Sequence, residues 1–266
     1  MDSALDWHQA KALLEWYVEL GAVDAIGDAP VNRYELDDTP PAHAQKAPRA
    51  AAAAAPDPVP AAPAADPVAD AEARAARAGD LAALAQSMSA FDGLDLKKGA
   101  RSFVFSDGNP EARLMIVGEA PGADEDRIGR PFVGRAGQLL DRMLAAIGID
   151  RASPDPARAA YITNVLPWRP PANRTPRPDE MAMMLPFLTR HIALADPDVL
   201  VLMGNTPCGA LLGRTGILRL RGTWTQALGK PVLPMTHPAY LLRNPAAKRE
   251  AWADLLEIQA RLRQTG

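Results

Sequence analysis

The sequence predicts an α/β protein: a three-layer α/β/α domain on a central four-stranded parallel sheet, preceded by an N-terminal helix and a disordered linker. Three observations predict it. From Arg113 onward four apolar runs of strand length recur, "RLMIVG", "AYITNVLP", "DVLVLMG" and "PVLPMTH". They are apolar on both faces, the pattern of strands buried from two sides. Between and after them lie helical stretches, "GQLLDRMLAAIG", "PDEMAMMLPFLTRHIALA", "TPCGALLG" and "AAKREAWADLLEIQARLR". Such alternation builds a parallel sheet through right-handed crossovers.

The elements follow in order. Residues 3–20 read as an amphipathic helix within an N-terminal segment, 1–35. Ser3 caps it, apolar positions recur at Leu5, Trp7, Ala10, Leu13, Leu14 and Tyr17, and Gly21 ends it. Residues 36–70 form an Ala/Pro-rich linker that holds too little bulky apolar surface to offset its ordering entropy. The main domain spans 71–266, entered through a helix, "DAEARAARAGDLAALAQSMSAF", that Gly79 interrupts. The N-terminal helix either docks on its own domain or offers Trp7, Trp16 and Tyr17 to a protein partner.

Composition excludes several classes. No apolar run approaches the roughly 18 residues of a membrane span, and the N-terminus lacks the basic-then-apolar order of a signal peptide. A single cysteine, Cys208, excludes a disulfide framework and a four-cysteine metal site, which suits a cytoplasmic setting. The net charge of −3 hides an asymmetry: residues 1–92 carry −9 and residues 93–266 carry +6. The basic part suits a polyanion as well as it suits an ordinary surface.

In open parallel sheets, ligands bind beyond the carboxyl ends of the strands. There the sequence places "GEAPG", Asn164 with "PWRPP", "GNTP" and "HPAYLLR". Gly118 and Gly122 permit a tight turn with free N–H groups, yet the turn is neither a Walker loop nor G-x-G-x-x-G. Glu119, Asp124, Glu125 and Asp126 disfavour a diphosphate and suit a neutral ligand portion, a water to be activated, or a metal; Asp124 and Asp126 also read as solvated loop charges. Phe132, in "GRPFVG", is a core plug or a stacking platform. Of the four histidines only His237 leaves a strand at this edge, where a donor can stabilise developing negative charge. Leu241 and Leu242 beside Arg243 suit a wedge into a base stack with a phosphate clamp, or the core face of a helix. The loop bearing Arg169, Arg174 and Arg177 suits a nucleic-acid backbone.

Together, "VGEAPGADEDRIGRPFVGRAGQLLDRML", "YITNVLPWRPPANRTPRPDE" and "HPAYLLRNPAAKRE" resemble the motifs of the family 4 uracil-DNA glycosylases, over roughly residues 93–262. The resemblance implies hydrolysis of the N-glycosidic bond of uracil in DNA after base flipping, at the start of base excision repair. It implies that Glu119 and Ala120 form the first uracil-facing turn and that Glu125 positions or activates water. Phe132 would stack on the base, Asn164 would read its polar edge and His237 would face O2. Arg169, Arg174, Leu241, Leu242 and Arg243 would contact DNA. The expected partner is uracil-containing DNA, bound by a monomer with no membrane attachment. The alternative is a catalytically weak DNA-binding module that retains the fold; an unrelated small-molecule hydrolase fits the Leu-Arg turn and the basic part less well.

One departure is large. The family usually carries a [4Fe–4S] cluster on four cysteines, and the corresponding positions here are Phe91, Leu94, Trp168 and Met184. The expectation is therefore no cofactor and no metal, with an apolar plug in the cluster's place, and Cys208 a small core residue.

Overall fold

A computed structural model describes residues 66–264. The segment 1–35, with the helix expected at 3–20, and nearly all of the expected linker lie outside the described residues. The first described helix begins ahead of position 71. Helix α1 (Pro67–Arg77) begins with proline at its first position, and Asp66 Oδ1 accepts from Val68 N at 2.9 Å. The entry helix is two helices. α1 stops before Ala78–Asp80, and Asp80 caps α2 (Leu81–Ser89) by accepting from Ala83 N at 2.7 Å. A short turn of helix, α3 (Leu96–Gly99), leads into the sheet.

The sheet has six strands, not four. The four expected strands are β2 (Leu114–Gly118), β3 (Ala160–Asn164), β4 (Val199–Met203) and β6 (Lys230–Met235). Two three-residue edge strands, β1 (Ser106–Gly108) and β5 (Thr225–Ala227), pair antiparallel at either side. "SDG" and "TQA" hold no apolar run, so periodicity does not announce them. The order is β1-β3-β2-β4-β6-β5, with the inner four parallel and in register at Leu114↔Ala160, Leu114↔Val199 and Leu200↔Val232. From β2 the chain crosses first to β3 on one side and later to β4 on the other. That reversal opens a crevice at the carboxyl end of β2.

Alternating residues of β2 feed the two faces. Leu114 and Ile116 join the core under α5 (Arg135–Ala146), α9 (Pro238–Arg243) and α10 (Lys248–Gln264). Met115 and Val117 join the core under α6 (Pro178–Ala195), α7 (Asn205–Leu212) and the short α8 (Ile217–Leu220). The three layers are thus in place. Cys208 is fully buried on the second face, where burial pushes its thiol up to about 11. No helix among the described residues is long and apolar enough to cross a membrane.

A third core joins α1 and α2 to α6. It gathers Phe91, Leu94, Leu166, Trp168, Met184 and Phe187, all buried, with Phe91 edge-on to Phe187 at 5.5 Å between ring centres.

His191 on α6 is buried with its ring stacked on Phe105 (4.3 Å, 4°) and its Nε2 2.9 Å from the Tyr161 hydroxyl. Burial lowers its pKa to about 3. The unfolded chain takes up this proton near pH 6.5 and the folded chain does not, so stability falls as pH drops from about 6.5 toward 3. His191→Phe is expected to flatten part of that slope in melting curves recorded between about pH 6.5 and 5. An unchanged slope would show that His191 is not the group responsible.

Candidate active site

The crevice at the β2 switch point is a cavity of about 920 Å³. Glu119, Ala120, Glu125, Phe132, Asn164, Arg174, His237 and Arg243 all line it, although they come from four separate stretches of chain. Gly118 is the hinge of this arrangement. A Cβ there would collide with Asn164 Oδ1 and stand 2.6 Å from the edge of the Phe132 ring. Only a bare backbone lets the amide and the ring lie over the same turn.

Asn164, the last residue of β3, is 7% exposed, and its Nδ2 has no hydrogen-bond partner. A buried amide donor left open costs stability unless something else fills it. Thr236 Oγ1, also buried on the cavity wall, is likewise unpartnered.

Phe132 belongs to the first core and also lines the cavity. Its backbone is left-handed (φ 53), a strained state for a bulky residue. Two groups hold it. Arg151 donates from Nη1 to Pro131 O (3.0 Å) and from Nη2 to Phe132 O (2.9 Å), and is itself anchored by Asp107 and Asp141. Gly137 on α5 gives the Phe132 carbonyl room that any side chain would fill.

α4 (Ala123–Ile128) carries Glu125, whose carboxylate is a staple. Oε1 accepts from Val133 N (2.9 Å) and Gly134 N (2.8 Å), and Oε2 from Gly122 N (3.1 Å). It ties the first turn to the Phe132 loop. Asp126 is not a solvated charge: 8% exposed, it accepts from Arg101 N and Ser102 N. Asp124 is exposed beside Arg127. Glu119 accepts on Oε2 from the Thr206 hydroxyl at the start of α7.

His237 caps α9 through Nδ1, which accepts from Ala239 N at 3.2 Å. Burial first, and Arg243 second, lower its pKa to about 4. The ring is therefore neutral at pH 7. With Nδ1 an acceptor, its proton must lie on Nε2. Its ring centre is 5.3 Å from that of Phe132.

The expected DNA contacts divide. Arg243 lines the cavity, whereas Arg169 donates to Asn173 Oδ1 on the exposed proline loop. Arg174 lines the cavity but is also tied back to the fold. It forms a two-pronged pair with Glu180, which is 2% exposed, and the guanidinium holds that carboxyl below its usual range. The pair clamps the loop to α6. Leu241 takes the core-face alternative: it is 0% exposed in the first core, because α9 turns that face inward. Leu242 is half-buried against the same core.

Sequence reasoning missed Arg151 and Gly137, and it placed the loop of Asn205 and Thr206 at the site without their bonds. Their roles depend on neighbours far away along the chain. Only "GRAG" directly after "RPFV" carried a local signal of close backbone approach.

The four positions aligned with the family's cluster cysteines meet in the third core, and none supplies a thiolate. These residues do not fit an iron–sulfur cluster.

Comparison with known proteins agrees with this architecture. The family model "Uracil DNA glycosylase superfamily" matches residues 105–256. A type-4 uracil-DNA glycosylase of Thermotoga maritima is 44% identical over 144 residues, 53% of this chain and 72% of the relative. Type-4 relatives from Archaeoglobus fulgidus (39%, covering 62% and 84%) and Pyrobaculum aerophilum (36%, covering 66% and 91%) match similarly. With more than half its length under that model and most of each relative covered, the chain belongs to the uracil-DNA glycosylase superfamily, beside its type-4 members.

Proposed function

We propose that this protein is a uracil-DNA glycosylase that hydrolyses the bond between uracil N1 and deoxyribose C1′ in DNA, opening base excision repair. The open, buried Nδ2 of Asn164 beside the Phe132 ring carries the reading. Uracil presents an acceptor (O4) next to a donor (N3–H), and one carboxamide matches both. The Phe132 ring supplies the stacking face for a flipped base.

The leaving group sets the chemistry. As the C1′–N1 bond breaks, its electron pair stays on the base, and charge grows on O2 and O4. Donors already in place and shielded from water stabilise that charge most. Asn164 Nδ2–H serves O4, and the neutral His237 Nε2–H serves O2. Water adds to C1′ and passes a proton to a carboxylate. Glu125 spends its oxygens on three backbone N–H groups, which suits it to hold the turn. Thr206 accounts for one oxygen of Glu119, and the other is the better seat for the water. Backbone contacts by Arg169 and Arg243 and a DNA contact by Leu242 belong to the same reading, with Arg174 fixing the loop that carries Arg169. The third core takes over the tethering that a metal cluster would provide, so activity needs no iron.

The test is excision of uracil from an oligonucleotide in chelator, read after alkaline cleavage at the abasic site, with wild type and His237→Ala. Wild type is expected to cleave, and the variant to lose about a hundredfold in rate. Because His237 is neutral above about pH 4, the wild-type rate is expected not to change as pH crosses the ordinary histidine range near 6.5. Retained DNA binding without cleavage would make the protein a binding module instead.

A further inference from the structure

Leu241 is sealed in the core and Leu242 is half-buried against it, so a more exposed leucine is a better wedge into a base stack. Five large apolar side chains stand exposed among the described residues: Ile128, Leu218, Leu228, Trp252 and Leu256. Leu218 is the most exposed, at 58%, and of the five it alone lines the cavity. It projects from α8 while Ile217 and Leu220 on either side pack into the second core.

The turn beneath it is braced. Gly216 takes a left-handed backbone (φ 97), and Asn205 Oδ1 accepts from both Gly216 N (3.0 Å) and Ile217 N (2.9 Å). Asn205 opens α7 and also lines the cavity, so the turn is fixed to the cavity wall. Arg219 lies beside Gly216, its Nη2 3.6 Å from where a Cβ would stand, and it lines the cavity as Arg243 does. Neither arginine makes an ion pair among the described residues. An exposed leucine on a braced turn, next to Arg219 and lining the same cavity as Arg243, is the geometry of a stacking wedge with phosphate holds.

We infer that Leu218, not Leu241, enters the DNA base stack and fills the gap left by the extruded uracil, with Arg219 on a neighbouring phosphate. This rests on the glycosylase reading. A duplex has a stack to be filled and a paired base to be displaced, whereas a single strand has far less of either.

The test is single-turnover excision by Leu218→Ala, Leu218→Phe and Leu242→Ala, each on a uracil–adenine duplex and on the same uracil strand alone. Leu218→Ala is expected to lose about tenfold more rate on the duplex than on the single strand, at unchanged melting temperature. Leu218→Phe is expected to restore most of the duplex rate, and Leu242→Ala to show little split. Equal losses on both substrates, or a split confined to Leu242→Ala, would overturn the assignment while leaving the glycosylase reading intact. Wild type inactive on both substrates would overturn both.

Discussion

Asn164→Ala is expected to lower kcat/KM for uracil excision at least a hundredfold while leaving the melting temperature unchanged or slightly higher. The two halves come from one observation. In the free protein Asn164 Nδ2 is buried without a partner, so folding already carries its desolvation cost, on the order of 1–3 kcal/mol. Removing the amide removes that cost. On the proposed reading the same group, with uracil bound, is the donor that meets charge growing on O4, and losing one such donor costs roughly a hundredfold to a thousandfold in rate. Asn164→Asp tests the donor itself. The carboxylate keeps the size and the acceptor for N3–H but cannot donate, so its loss is expected to approach that of alanine. A variant that loses stability along with activity would show that Asn164 supports the fold instead of reading the base.

Phe91→Ala is expected to be the most damaging single change to stability. Phe91 is fully buried, meets Phe187 edge-on and lies under the Arg74 guanidinium at 6.0 Å. Emptying such a site typically costs about 3–5 kcal/mol. For a domain of this size that is a fall on the order of 10 °C in melting temperature. The core it belongs to also backs the site. Ala120 packs against it and lines the cavity, and Trp168 leads directly into the arginine loop. Activity per folded molecule is therefore expected to fall less than stability, and to fall most near the new melting transition. Phe91→Leu, which keeps most of the volume, is expected to recover more than half of the loss. A shift below about 2 °C for Phe91→Ala would mean that this apolar core does not hold the entry helices in place.

Most of the architecture was legible because burial wrote it into the sequence. The four inner strands are buried on both faces, so each reads as an unbroken apolar run. The two edge strands are short and half-exposed, bury too little to leave a pattern, and went unread. The cavity's main residues were found because glycine turns and a strand-end histidine are visible one loop at a time. What the loops do to one another was not visible. Whether Arg174 meets solvent or Glu180, and whether α9 turns Leu241 in or out, depends on the rotation of a helix against a distant surface. Leu218 fell outside the reading for the same reason: a lone leucine among arginines gains meaning only from the cavity beside it.

The left-handed turn at Phe132 limits the routes open to mutation. Strain of this kind, about 1–3 kcal/mol, persists only while its surroundings enforce it. Here the enforcers are Gly137, where any side chain meets the Phe132 carbonyl, and Arg151, which grips two successive carbonyls. The three positions form one heritable unit, in which a change at any one is penalised by the other two. A lineage can exchange the ring for another flat side chain in one step. It cannot move the ring to a new angle without passing through a poorly folded intermediate. This wall of the cavity is thus free to vary in chemistry and nearly fixed in place.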